Sequence, residues 1–155
     1  MKSVDLVSHG HRLARASASK SRQVDLKRAV SAGYYAMFHT LARECADVIV
    51  GVGAERNNEA WLQAYRALEH GFAKNACQHA KNRGFPVEIV KFATTFAAMQ
   101  QERHSADYDP TSVFGRSEVT SLLTDTSKAI ADFHLAPRPE RRAFVALVLL
   151  REPRR

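Results

Sequence analysis

An all-α fold, an up-and-down bundle of about five helices with a short C-terminal extension, is predicted by three observations. Apolar residues recur at spacings of three and four through most of the chain. Alternation at period two is absent from its body, and Gly51, Gly53, Gly84, Pro86 and Pro110 punctuate the periodic segments. At 155 residues, with 45% hydrophobic and 25% charged residues, the chain has the size and composition of one ordinary globular domain. The bundle is assigned to residues 1–136, and a basic extension that packs on the bundle or on a partner is assigned to 137–155.

A first helix is predicted from about Val4 to Lys20, weakened by Gly10. The second, over 22–50, carries Val30, Tyr34, Met37, Leu41, Cys45 and Val48 on one face. A neighbouring stripe of Tyr35, Phe38, Ala42 and Ile49 widens that face, so this helix is expected at the centre, covered on more than one side. Gly51 and Gly53 end it. A third helix starts near Asn58, presents Trp61, Tyr65, Leu68, Phe72 and Ala76, has a weak point at Gly71 and stops at Gly84. Pro86 suits the first turn of a fourth, whose apolar side is Ile89, Phe92, Ala93, Phe96 and Met99 and which closes before Pro110. Ser117 is the expected N-cap of a fifth, with Val119, Leu122, Leu123, Thr126, Ile130 and Phe133 facing inward. In the extension, Ala143 to Leu150 is apolar on every side, a short buried helix or a strand, with helix preferred.

The formal charge of +7 is concentrated at the ends. Residues 1–28 hold seven Lys and Arg against two Asp, and residues 137–155 hold six Arg against two Glu, leaving the body nearly neutral. Such ends suit the phosphates of a nucleic acid, or an acidic partner surface. They are not interleaved with exposed aromatics in the sequence, as a single-strand platform requires. The apolar run Ala143–Leu150 is far short of the ~20 residues of a membrane span, and the first twenty residues lack the apolar stretch of a secretory signal. A cytoplasmic protein without membrane association is expected. Cys45 and Cys77 sit in helical patterns as small buried side chains, not as a disulfide or metal site.

No phosphate-binding glycine loop, Gly-x-Ser-x-Gly, His-Glu-x-x-His or metal-spaced Cys/His cluster is present, so neither a metal site nor a cofactor is expected. The informative residues are polar ones set against the apolar pattern. On the fourth helix the stripe Phe92, Phe96, Met99 steps next onto Arg103, and then by four onto Asp107, followed by Tyr108. That pair is either a helix-end salt bridge or, within a cleft, an anion site. Among seven histidines, His39 lies on the central helix, and His70 follows Arg66 by four, placing both on one helical face. Histidine is the natural acid or base near neutrality, although a half-buried hydrogen-bonded imidazole is often structural.

The run 32–39 (AGYYAMFH), followed by a further helix and then 103–109 (RHSADYD), resembles the HEPN domain family, in the branch marked by a YYAxFH helix and an RxxADY motif. The resemblance spans about residues 5–134. It implies a helical bundle that dimerises and acts on or around RNA in toxin–antitoxin or defence systems, often beside a nucleotidyltransferase-type protein partner. Active members are metal-independent ribonucleases in which Arg, a polar residue and a later His share the work: His moves the proton and Arg stabilises charge on the phosphorane. Arg103 matches the arginine and His104 the polar position, which makes these two the candidate catalytic residues. Positions 108, 109 and 110, where the histidine belongs, are Tyr, Asp and Pro. The resemblance therefore implies an RNA- or nucleotide-binding module with a degenerate catalytic motif, its binding residues being Arg103, Asp107, Tyr108, His39, Arg66 and His70. The alternatives are a ribonuclease in which His104, His39 or His70 substitutes, and a non-catalytic protein-interaction adaptor.

Overall fold

The computed structural model describes residues 2–16 and 22–153, and through them run α1 (Ser3–Arg15), α2 (Gln23–Val50), α3 (Asn58–Arg66), α4 (His70–His79), a 3-10 turn at Lys81–Arg83, α5 (Val87–Tyr108), α6 (Arg116–Leu135) and α7 (Arg138–Leu149). No strand occurs among the described residues, and the all-α bundle expected from the sequence is what forms. The long α2 is its axis, packed by α1, α3, α5, α6 and α7. Val30, Tyr34, Met37, Leu41 and Cys45 are buried as expected, with Val48 half-buried. Of the second stripe, Ala42 is buried and Tyr35 and Phe38 are half-buried, whereas Ile49 is exposed on the last turn of α2.

Gly10 does not break α1, because there the absence of a side chain allows close packing. A Cβ at Gly10 would lie 2.9 Å from Leu123 Cδ2 and 3.2 Å from the carbonyl oxygen of Ala29. One at Gly33 would lie 3.0 Å from both Leu123 Cδ2 and Met99 Cε. The two bare positions let α1, α2 and α6 close around Leu123, which is fully buried.

Several expected boundaries are corrected. The helix foreseen from Asn58 to Gly84 is two helices with a break at Ala67–Glu69, and Gly71 lies inside α4. Ala, Leu and Glu are good helix formers, so propensity gives no warning; Leu68 enters the core at the break, and Glu69 adopts an extended backbone to start α4 in a new direction. The N-cap of α6 is Gly115, not Ser117; its N–H donates to Glu118 Oε2 at 3.2 Å. α1 ends at Arg15, and the remainder of its expected span, from 17 to 20, lies outside the described residues.

The C-terminal block is a helix, and its residues are not equivalent on all sides: Phe144, Val145 and Val148 are buried while Ala143, Ala146 and Leu150 are exposed. Phe144 meets Phe85, Phe92 and Phe133 edge-on, with ring centres 5.7, 6.3 and 6.0 Å away. Arg141 fixes the helix laterally, pairing with Glu44 of α2 at 2.8 Å and donating to the carbonyls of His134 and Ala136 at the end of α6. The extension thus packs on the bundle and contributes to the same core. Cys45 and Cys77 are free and buried; burial pushes the Cys45 thiol up to about 12 and the Cys77 thiol up as well, so both stay protonated. No helix among the described residues is long and apolar enough to cross a membrane.

Two substitutions test this packing. Phe144→Ala is expected to cost about 3–5 kcal/mol as a cavity among three aromatic rings, and Gly33→Val about 1–3 kcal/mol by overpacking at Leu123 and Met99. Urea unfolding midpoints at constant m-value measure both.

Candidate functional site

Because position 103 continues the buried stripe of α5, the helix carries a guanidinium toward α2 instead of into water, and the Arg103 side chain is only 15% exposed. Its Nε donates to Asp107 Oδ2 at 2.8 Å, one turn further on, and its Nη2 to the Tyr35 hydroxyl at 3.4 Å. The other oxygen of Asp107 accepts from the Ser31 hydroxyl at 2.6 Å, and Lys27 donates to the Asp109 carbonyl at 3.1 Å. The end of α5 is therefore tied to α2 through the same carboxylate that orients the arginine. Around the guanidinium stand three tyrosine rings, with centres 5.6 Å (Tyr34), 5.5 Å (Tyr35) and 5.7 Å (Tyr108) from its central carbon, within range of cation–π attraction. Of the two expectations for Arg103 and Asp107, the i, i+4 ion pair forms, and it holds the guanidinium partly out of solvent.

An imidazole from another helix packs on two of the same rings. His70, the first residue of α4, stacks on Phe38 with ring centres 4.1 Å apart, and its Nδ1 lies 2.5 Å from the Tyr34 hydroxyl. Tyr34 is fully buried. Burial pushes its phenol well above the usual range, so the proton stays on oxygen. With no other acceptor for that buried O–H among the described residues, it donates to Nδ1, which places the imidazole proton on Nε2. Burial first, then the positive charge of Arg103 and then His39, hold the His70 pKa below its ordinary value. His39 accepts the Tyr65 hydroxyl on Nδ1 or donates to it, and burial lowers its pKa too.

The candidate residues are thus only partly gathered. Arg103, Asp107, Tyr108, His39 and His70 lie along one surface of α2 and α5, with Tyr108 64% exposed beside the guanidinium. His104 is exposed and packs on Tyr108, with ring centres 5.0 Å apart. Arg66 does not share a face with His70, because the break at Ala67–Glu69 puts them on different helices; Arg66 is exposed and borders a shallow hollow with Glu59, Leu62, Gln63 and Ala67. Sequence reasoning missed Ser31, Tyr35 and Tyr65 as site residues. The signal for Ser31 and Tyr35 was the i, i+4 series Ser31, Tyr35, His39, Arg43, Asp47, which reads as an outer face of α2 once its inner face is assigned, whereas Tyr65 on α3 is brought in by tertiary packing alone.

A hollow of about 680 Å³ lies elsewhere, between α4 and α7, walled by Phe72, Phe85, Leu147 and Leu150, and no residue of the Arg103 group borders it. No three His, Cys, Asp or Glu side chains among the described residues are grouped to hold a metal ion. No family model, no curated protein and no solved structure matches the chain.

Because the folded pKa of His70 is depressed, the unfolded chain takes up a proton near its ordinary value of 6.5 while the folded chain does not. The stability linked to this group is present above about pH 6.5 and is lost as pH falls toward the depressed folded value. Unfolding free energy is expected to drop between pH 7 and pH 5, and the drop is expected to be shallower in His70→Gln. Denaturant midpoints of the two proteins at both pH values measure this, and identical slopes would place the titration elsewhere.

Proposed function

We propose that the chain is a HEPN-type module that binds RNA or a nucleotide through phosphate, with Arg103 as the principal anion contact and with the catalytic motif degenerate. In this reading it works in a toxin–antitoxin or defence setting, as a homodimer in the cytoplasm, with a nucleotidyltransferase-type protein as its partner. The observation that carries the reading is the orientation of Arg103. Asp107 and Tyr35 take its Nε and one Nη2 hydrogen, the rings of three tyrosines stand around it, and Nη1 has no hydrogen bond among the described residues, which leaves donor capacity for an oxyanion. With Nδ1 taken by Tyr34, His70 keeps Nε2–H as a further donor.

The same hydrogen bond argues against proton abstraction. A neutral imidazole with its proton on Nε2 and its Nδ1 occupied by a buried phenol has no lone pair to offer a 2′-hydroxyl. The ribonuclease reading is favoured by one observation: Arg103 and His70 flank the same two rings, the guanidinium 5.6 and 5.5 Å and the imidazole 5.6 and 6.3 Å from the centres of Tyr34 and Tyr35, and the motif does not include that histidine. It requires His70 to exchange tautomers and release Tyr34.

Binding of adenosine monophosphate and of short RNA by the purified protein tests the proposal. Arg103→Ala is expected to weaken binding at least about tenfold, the loss of a charged hydrogen-bond donor, with helicity retained and the unfolding midpoint lowered but the protein still folded under the binding conditions, and wild-type affinity is expected to fall with added salt. RNA incubated with the wild type in chelator is expected to stay intact; chelator-resistant cleavage that disappears in His70→Ala would establish the ribonuclease reading instead.

A further inference from the structure

The outer stripe of α2 is engaged along its whole length. From Ser31 to Asp47 it extends about 24 Å at the helical rise of 1.5 Å per residue, and its members meet residues of other elements in turn: Ser31 meets Asp107, Tyr35 meets Arg103, His39 meets Tyr65, and Arg43 and Asp47 meet Trp61. The rings form a row. Centres are 6.1 Å apart from Tyr35 to His39, 5.9 Å from His39 to Tyr65 and 5.2 Å from Tyr65 to Trp61, the last two pairs stacked at 22° and 30°. Tyr35, His39 and Tyr65 are only half-buried.

Guanidinium groups stand at both ends of this row. Arg103 lies 5.5 Å from the Tyr35 ring, and Arg56 and Arg43 lie 4.4 and 6.0 Å from the Trp61 ring. The nearby carboxylates are committed inside the protein: Asp107 to Ser31 and Arg103, and Asp47 to the Trp61 indole N–H at 2.8 Å and to Arg56 at 3.9 Å. Folding therefore interleaves arginine with aromatic rings, which the linear sequence does not.

We propose that this row is a track for single-stranded RNA, with bases stacking along Tyr35, His39 and Tyr65 and phosphates reaching Arg103 at one end and Arg43 and Arg56 at the other. The proposal rests on the reading of Arg103 as a phosphate contact and extends it from one phosphate to several nucleotides. Partly exposed rings flanked by cations are what a base-stacking surface needs, and every base offers a π-face, so such a track tolerates sequence. A duplex does not fit the same chemistry, since its bases are already stacked and paired. The row does not border the hollow beside α7, and a row of part-exposed rings suits a polymer.

Trp61 is the single tryptophan of the chain and lies at the far end of the row from Arg103, so its emission reports on the track. Adenosine monophosphate, tetra-adenylate, hexa-adenylate and an RNA duplex are titrated into the folded protein at low salt. The expected result is an affinity gain of at least about tenfold from the monophosphate to the oligonucleotides, as stacking and phosphate contacts add, with Trp61 emission changed by the oligonucleotides alone. Arg56→Ala, at a half-buried position in the loop after α2, and Tyr65→Leu are expected to lose that gain while keeping monophosphate binding, whereas Arg103→Ala loses both. Equal affinity for monophosphate and oligonucleotide, or a duplex bound as tightly as the single strand, overturns the track and leaves the Arg103 contact standing. Failure of the folded protein to bind any of the four ligands overturns both.

Discussion

A phenol buried without access to water must place its proton on something, and the arrangement around Tyr34 follows from that requirement. Tyr34 sits on the inner face of α2 because the helical repeat puts it there, yet it carries a hydroxyl that the apolar core cannot satisfy. His70 meets the need at 2.5 Å. To deliver that imidazole, the chain leaves helical conformation at Ala67–Glu69 and begins α4 with the histidine itself. The bond fixes the tautomer of His70 and seats its ring on Phe38. One buried hydroxyl thus accounts for a helix break, a ring stack and the state of the imidazole beside Arg103.

The central helix serves two purposes with two stripes offset around its circumference. Its inner stripe closes the bundle, with Gly33 and Gly10 allowing α1, α2 and α6 to approach around Leu123. Its outer stripe is polar and aromatic, and α3 and the end of α5 lay their own rings and arginines against it. The Arg103–Asp107 pair gains more than an exposed i, i+4 pair would, since Ser31 and Tyr35 add hydrogen bonds across helices and desolvation strengthens each of them.

Charge read along the sequence does not show which arginines the fold pairs internally. The C-terminal segment is basic, but Arg141 is engaged by Glu44 and two carbonyls, and Arg151 pairs with Glu69. These contacts anchor α7 and the segment after it to the bundle. The arginines that stand among aromatic rings, Arg43, Arg56 and Arg103, come from the nearly neutral body, where counting by segment gives no sign of them.

The sequence by itself determined the all-α class, the extent of α2, α5 and α6 to within a few residues, the apolar faces they bury and the ion pair between Arg103 and Asp107, because all of these depend on periodicities and spacings within one helix. Only the tertiary structure decided that the segment after Asn58 is two helices, that His70 and not Arg66 approaches Arg103, and that Tyr65 and Trp61 extend a row begun on α2. Those features join residues far apart in the chain, and they arise from satisfying a buried hydroxyl and packing one helix face on another. Neither requirement leaves a trace in local propensity, since Ala67, Leu68 and Glu69 would continue a helix as readily as they end one.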